Sequence, residues 1–412
     1  MSNGKTTDRL GTAVALDMAG LFADLERLVV TNPAGAASAA EAAIAGVDGR
    51  GETGDIIRLR RMLAMAYAHT NQFARALETC QAAESLPGSG TEPIEVARIQ
   101  LASMQALANL DRIEEAIAAG RRALETLEAH QRDDLAGRAA LNIGATYAMT
   151  GRPAEALPWF DQARAYLRDE PVLLGQIETN RGTALAALDQ FQEAEDAFAR
   201  SAVLLNTDEM SWAAAIAEGN LADLAARQGA ISRSMRHFEA SRRHLERDAA
   251  FGDLGRLNAE EAALLASSGL ATRARDAFVA AIALLREHGA PADLASSEIA
   301  YGAALVDAGE LADAAELLRQ SSRIDPQEHP NLAQQLLLLS ARLALAHREF
   351  DEANSLIVRG AQSSTDQPVQ QLRWLILLAD LNHALTLTAE AQTLLGSALR
   401  NRGRCTSYAI SG

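Results

Sequence analysis

Three asparagines stand at one place in three consecutive stretches of similar pattern: Asn142 in "LNIG", Asn180 in "TNRG" and Asn220 in "GNLA", each two residues before a small residue. Asparagine is a poor helix former, so three of them in register inside helical stretches carry a cost. A side-chain amide offers one acceptor and two donors, the complement of a peptide group. The chemistry open to such a row is to grip the backbone of an extended chain. The alternative is that the amides bond to neighbouring helices or only to water. Hydrogen bonds contribute about 1 kcal/mol each, while micromolar affinity needs about −8 kcal/mol, so three amides set a register and something else must anchor the ligand.

Arginines are the candidate anchors. Arg58, Arg98, Arg138, Arg256 and Arg373 recur four residues before the place of the asparagines, with Gln176 in that position between them, and Arg61 and Arg342 project to the same side. If they line a groove, the ligand carries acidic groups, such as a Glu/Asp-rich segment or a peptide C-terminus. If instead they pair with Asp or Glu of adjacent stretches, they contribute little. Leu101, Leu141, Leu338 and Ile376 point the same way and offer apolar contact, or belong to the core.

The elements that position these residues are legible from composition and repetition. The chain has 412 residues, 48% hydrophobic and 4% aromatic, a balance that favours helix and exceeds one compact core. Its formal charge of −16 argues against a sequence-independent grip on nucleic acid. Lys5 is the single lysine, so arginine carries nearly all of the positive charge. The most apolar window, "LLLLSARLALA", is too short to span a bilayer and contains Arg342, and the N-terminus is a poor signal peptide; a soluble cytoplasmic chain is expected.

A small residue, a turn residue, a small residue early in a second helix and a bulkier one four positions on recur throughout. Gly144, Gly151, Ala156 and Phe160 supply one such set, and Met104, Asp111, Ala116 and Gly120 stand at the same four places of another stretch. The turns fall at residues 71, 111, 151, 189, 229, 269, 309, 348 and 386, always 38 to 40 apart. Each unit reads as a helical hairpin that cannot bury its own apolar face, so neighbours must stack.

The stretches "NIGATYAMTGRPAEALPWFDQA", "LASMQALANLDRIEEAIAAGRRALETL" and "YGAALVDAGELADAAELLRQSSRIDP" resemble the tetratricopeptide repeat family, the last even in its proline, Pro326. The period exceeds the common 34-residue form and is similar to the long-helix subclass of kinesin light chain, LGN-type scaffolds, bacterial peptide-sensing regulators and arrays attached to CHAT proteases. The resemblance implies an all-α, right-handed α-α superhelix of about nine hairpins plus an N-terminal cap. Residues 1–50 would form a tail and capping helices, 51–400 the solenoid, and 401–412 a flexible tail. In that family a comparable asparagine ladder clasps peptide backbone. The implied role is a non-catalytic scaffold for a protein or peptide partner, or a sensing switch over a separate effector such as a CHAT-type protease or a transcription factor.

Other residues point to less. "GRGETG" (49–54) matches a dinucleotide fingerprint, but an alanine-rich helix precedes it where a strand is required, so a linker is expected. His237 and His244 share a helix face without a third ligand. Trp159, Trp212 and Trp374 are expected to pack between helices, Cys80 to be a buried hydrophobe, and Pro158 to bend its helix. Cys405 follows three arginines in the tail, with no base at hand to make it a nucleophile. No metal, cofactor or catalytic cluster is expected.

Overall fold

Every turn foreseen at a fixed spacing, where it falls within the described residues, is a left-handed residue. Asn71, Asp111, Gly151, Asp189, Gly229, Gly269, Gly309 and Arg348 all have φ between 57° and 79°. The amide following each of them donates to a carbonyl five residues back, as in Gln72 to Tyr67, Arg152 to Tyr147 and Glu349 to Ala344. This closure satisfies the last carbonyls of the first helix and reverses the chain into the second. Glycine adopts the conformation freely and Asn and Asp tolerate it. Arg348 adopts it against its own preference.

The computed structural model describes residues 18–47, 52–207, 210–323, 325, 329–363, 368–385 and 393, which are all-α apart from turns and short links. The chain divides into two compact units, residues 1–169 and 170–412. In the first, α1 (Met18–Thr31) and α2 (Pro33–Val47) precede three hairpins: α3 (Thr53–His69) with α4 (Phe73–Glu84), α5 (Pro93–Asn109) with α6 (Ile113–Ala129), and α7 (Asp133–Met149) with α8 (Pro153–Tyr166). In the second, the hairpins are α9 (Pro171–Ala187) with α10 (Phe191–Leu205), α11 (Ser211–Arg227) with α12 (Ile231–Arg247), α13 (Phe251–Ser267) with α14 (Ala271–His288), α15 (Pro291–Ala308) with α16 (Leu311–Ser321), and α17 (Pro330–Ala346) with α18 (Phe350–Gln362); α19 (Pro368–Ala384) follows. Each unit is a stack of helical hairpins in the manner of a solenoid, with successive first helices in contact except α11 and α13. No helix among the described residues is long and apolar enough to cross a membrane.

Two contacts recur within the hairpins. The first is the anticipated meeting of a small and a large residue: a methyl placed on Gly144 would stand 2.7 Å from the ring of Phe160, and one on Gly182 2.6 Å from Phe198. Hairpin α5/α6 inverts the pair. Met104 supplies the bulk from the first helix, and Gly120, in the place expected for a large side chain, leaves room for it at 2.7 Å. Filled volume is conserved while its source changes helix. The second contact sits near the open end, where Gly137 meets Leu167, Gly175 meets Leu205 and Gly255 meets Leu285. Buried serines join the helices there, Ser201 and Ser241 each donating at 2.8 Å to the carbonyls of Gly175 and Ala215. Helix α8 runs unbroken through Pro158.

Candidate functional site

In the unit 1–169 the arginine row runs along the first helices α3, α5 and α7. Arg58 on α3 and Arg98 on α5 occupy equivalent places, and both are engaged. Arg58 Nη2 reaches Glu26 Oε1 at 3.4 Å with its guanidinium 3.9 Å over the Phe22 ring, and Arg98 Nη1 donates to Glu95 Oε1 at 2.9 Å. Arg58 is thus paired with the preceding helix pair and Arg98 within its own helix. Arg138 and Asn142, on α7, are exposed. Leu141 is buried in the core.

Arg61 does not project outward as expected. It is only 8% exposed, and Nη1 meets Met65 Sδ at 3.5 Å while Nε and Nη2 have no hydrogen-bond partner. Burial and the neighbouring Arg98 bring its pKa down to about 10, with Arg58 adding to the fall and Glu95 and Glu26 opposing it. A buried guanidinium with unfilled donors is a net cost. Arg61→Met, which keeps the bulk and removes the charge, is expected to raise the unfolding free energy by about 1–3 kcal/mol, measured by denaturant titration.

In the unit 170–412 the asparagine place opens on a cavity. About 760 Å³ lies between α11 and α13 above α12. Asn220 and Ile216 line one wall from α11, and Glu260 and Arg256 line the other from α13, at the same two places of the repeat. Phe238 and Leu245 of α12 line it between them. Gly219 also borders the space, and a methyl there would meet nothing nearer than 4.0 Å. Trp212, expected to pack between helices, is instead 50% exposed at this cavity, its Nε1 donating to Asp253 Oδ2 at 3.0 Å.

The electrostatics of this cavity differ from the cationic groove foreseen. Arg256 is held by Asp253 at 3.0 Å, and Arg227 turns to the Ala186 carbonyl and Asp189 on the neighbouring hairpin, at 3.0 and 3.3 Å. Asp223 and Glu260 are left facing the space from opposite walls. Desolvation holds the Glu260 carboxyl above the usual range, Arg256 opposing and Asp223 adding to the rise. The unmet charge here is negative. One hairpin earlier, Asn180 is half-buried and Gln176 exposed on α9.

A second cavity of about 570 Å³ crosses α15, α17 and α19. Leu338 and Ile376, two of the expected groove residues, line it together with Arg342 and Arg373. Arg342 pairs with Asp307. A third, of about 160 Å³, borders Cys80, whose thiol burial pushes up to about 12, leaving it unreactive. His237 pairs with Glu218 at 2.7 Å, and His244 Nδ1 lies 3.0 Å from Arg247. No group of metal-ligating residues occurs among the described residues. Trp374 is buried as expected, 2% exposed against Gly360. Pro326, Cys405, the turn foreseen at residue 386 with Ala391 and Leu395 after it, and residues 49–51 of the glycine-rich stretch lie outside the described residues; Val47 before that stretch ends a helix.

What sequence reasoning missed are the acid–base pairs between helices. Glu178 on α9 is buried against Arg200 at 3.0 Å, and Arg242 on α12 bridges to Glu261 and Asn258 on α13, the latter at 3.3 Å. The signal was faint, since Glu178, Glu218 and Glu298 recur four residues before the small residue.

No protein-family model and no curated protein matches the chain. Solved structures do resemble it. A Rap protein complexed with competence and sporulation factor is 12% identical, covering 86% of this chain and 99% of that one with a TM-score of 0.54. The apo form of RapI is 12% identical over 85% and 99%, with a TM-score of 0.58. The apo form of the quorum sensor NprR from B. thuringiensis is 11% identical over 94% and 99%, with a TM-score of 0.54. At these identities the likeness is one of architecture, and with the hairpins described above it makes this a tetratricopeptide-like helical-repeat fold.

Proposed function

We propose that the chain is a non-catalytic binder of an extended protein or peptide segment, held on the face that the first helices present. The observation that carries this reading is the cavity at Asn220, where an amide, apolar walls and two carboxylates without a salt bridge among the described residues surround about 760 Å³. The amide pairs with ligand backbone, and Asn180 and Gln176 offer the same groups one hairpin earlier. Asp223 and Glu260 favour a basic side chain beside Asn220 over the acidic ligand that the arginine row suggested. In the unit 1–169, exposed Asn142 and Arg138 form a separate set suited to an acidic group, while Arg58 and Arg98 are held by Glu26 and Glu95 and Arg61 is buried. The 38-to-40-residue period supports the long-helix subclass, and a cytoplasmic location fits such a binder.

Gly219→Leu is the direct test, because the new side chain enters open space and replaces glycine in a helix. Titrating a pool of randomised decapeptides, with Trp212 fluorescence as the signal, is expected to give saturable binding that Gly219→Leu abolishes. Joint Asn180→Ala and Asn220→Ala substitution is expected to weaken binding about 5- to 30-fold, at about 1 kcal/mol per hydrogen bond. Binding indifferent to both variants refutes this placement.

A second reading, a sensing switch, is favoured by the parting of α11 and α13 around the cavity, while α13, α15, α17 and α19 follow one another in contact. A ligand bridging the two walls draws those helices together, and the effector, a CHAT-type protease or a transcription factor, is a separate chain. The complex of a Rap protein with competence and sporulation factor and the naming of NprR as a quorum sensor support this class of role. Ligand-induced protection of α11 and α13 amides from hydrogen exchange separates a switch from a passive scaffold.

A further inference from the structure

The trough across α15, α17 and α19 differs from the cavity at Asn220 in the chemistry of its lining. Ile299, Leu338, Leu339, Ile376 and Leu377 make it largely apolar, and Ile376 remains 41% exposed within it. Monomeric proteins seldom leave a concave apolar surface of this kind open without a use for it. Small residues, Ala300 and Ala303, keep the α15 wall low.

Three charged groups border the trough, and their needs are unequal. Arg342 is paired with Asp307. Asp380 is answered by Arg342 and His383, while burial, the larger influence, holds its carboxyl above the usual range. Arg373 is exposed and, unlike Arg58, Arg98 and Arg256 at the same place of the repeat, has no carboxylate paired with it among the described residues. The demand left over is for an anion next to an apolar group. An aspartate or glutamate side chain brings a carboxylate without the apolar body. A C-terminal residue such as leucine brings both on one residue, with the carboxylate geometry that a guanidinium matches bidentately.

We infer that the trough formed by α15, α17 and α19 is a second seat, which takes the C-terminal residue of a bound segment, its aliphatic or aromatic side chain against Leu338, Leu339 and Ile376 and its carboxylate on Arg373. The inference rests on the proposed peptide-binding role and assigns the end of the ligand and its direction. The amide place at Asn220 grips backbone, and the trough selects what terminates it.

The full chain is titrated with two randomised decapeptide pools, one with free C-terminal carboxylates and one amidated, and with N-acetyl-leucine and N-acetyl-leucinamide as small probes followed by ligand-observed NMR. The expected result is enrichment of apolar C-terminal residues in the free-acid pool, with a loss of about tenfold or more on amidation. Arg373→Met removes that difference between acid and amide, and Ala303→Trp, which fills the trough, removes the preference for apolar ends. Both changes lie on exposed or half-buried surface, and an unchanged thermal midpoint shows that the fold is intact. Selected peptides with an acidic residue inside the sequence and equal affinity as acid and amide overturn the terminal seat. Binding that responds to Gly219→Leu but to neither trough variant overturns this inference and leaves the peptide-binding role standing. Absence of binding by either pool and by both small probes overturns the two together.

Discussion

Phe160→Ala is expected to lower the unfolding free energy of the unit 1–169 by about 3–5 kcal/mol, the cost of truncating a fully buried phenylalanine. Phe160 is 0% exposed, and its ring fills the notch that Gly144 leaves in α7. Because the hairpin is held by this contact and by Gly137 against Leu167, the loss should appear as faster hydrogen exchange along α7 and α8 as well as a lower denaturation midpoint. The partner substitution supplies the control. Gly-to-Ala inside a helix ordinarily stabilises by about 0.5–1 kcal/mol. Here Gly144→Ala sets a methyl 2.7 Å from a ring carbon and should destabilise by about 1–3 kcal/mol through overpacking. Combined with Phe160→Ala, the same change should turn favourable, because the obstructing ring is gone. Additive effects would show that the two residues do not share one volume.

The second large effect concerns charge. Arg242 on α12 donates to Glu261 and Asn258 of α13 and to Glu239 of its own helix, and the Glu261 side chain is 11% exposed. Arg242→Met leaves a buried carboxylate without its counter-ion, a change that costs about 3–5 kcal/mol when both groups are buried. Arg242 keeps a quarter of its side chain in water, which places the expected loss near the lower bound, about 3 kcal/mol. Adding Glu261→Leu should recover most of it, since an apolar pair of similar size often matches a buried ion pair. Chemical denaturation of the wild type, the two single variants and the double variant measures the coupling. A single variant as stable as the wild type would mean that Glu261 is reached by water.

Features that repeat along the chain were legible in the sequence, and features that depend on a single side chain were not. Turns, small residues and the Phe160 class of contacts repeat every 38 to 40 residues, so each occurrence strengthens the others. The eight left-handed turns follow from that periodicity alone. Leu167, Leu205, Leu245 and Leu285 share the same spacing and were available to the same reasoning, although their glycine partners are mixed with alanine at Ala215. Arg61 and Arg242 were not legible in this way. Whether an arginine on a first or second helix reaches solvent, a carboxylate or the core depends on a rotation of the side chain that repetition does not encode. Asn220, Leu338 and Ile376, which the wheel put on one face, line cavities, whereas Leu141, expected on that face too, is buried. The charge of the cavity at Asn220 was not foreseen, because Asp223 and Glu260 matter only once Arg256 and Arg227 are seen to be occupied elsewhere.

The exchange of bulk between Met104 with Gly120 and Gly144 with Phe160 limits how such an array can be recombined. A chimera that moved α5 alone into the setting of α7 would drive a thioether into a phenyl ring. The reverse transplant would face glycine with glycine and open a void. The smallest interchangeable module is therefore a whole helix pair, and productive crossovers between genes of this type should fall in the links that join one pair to the next.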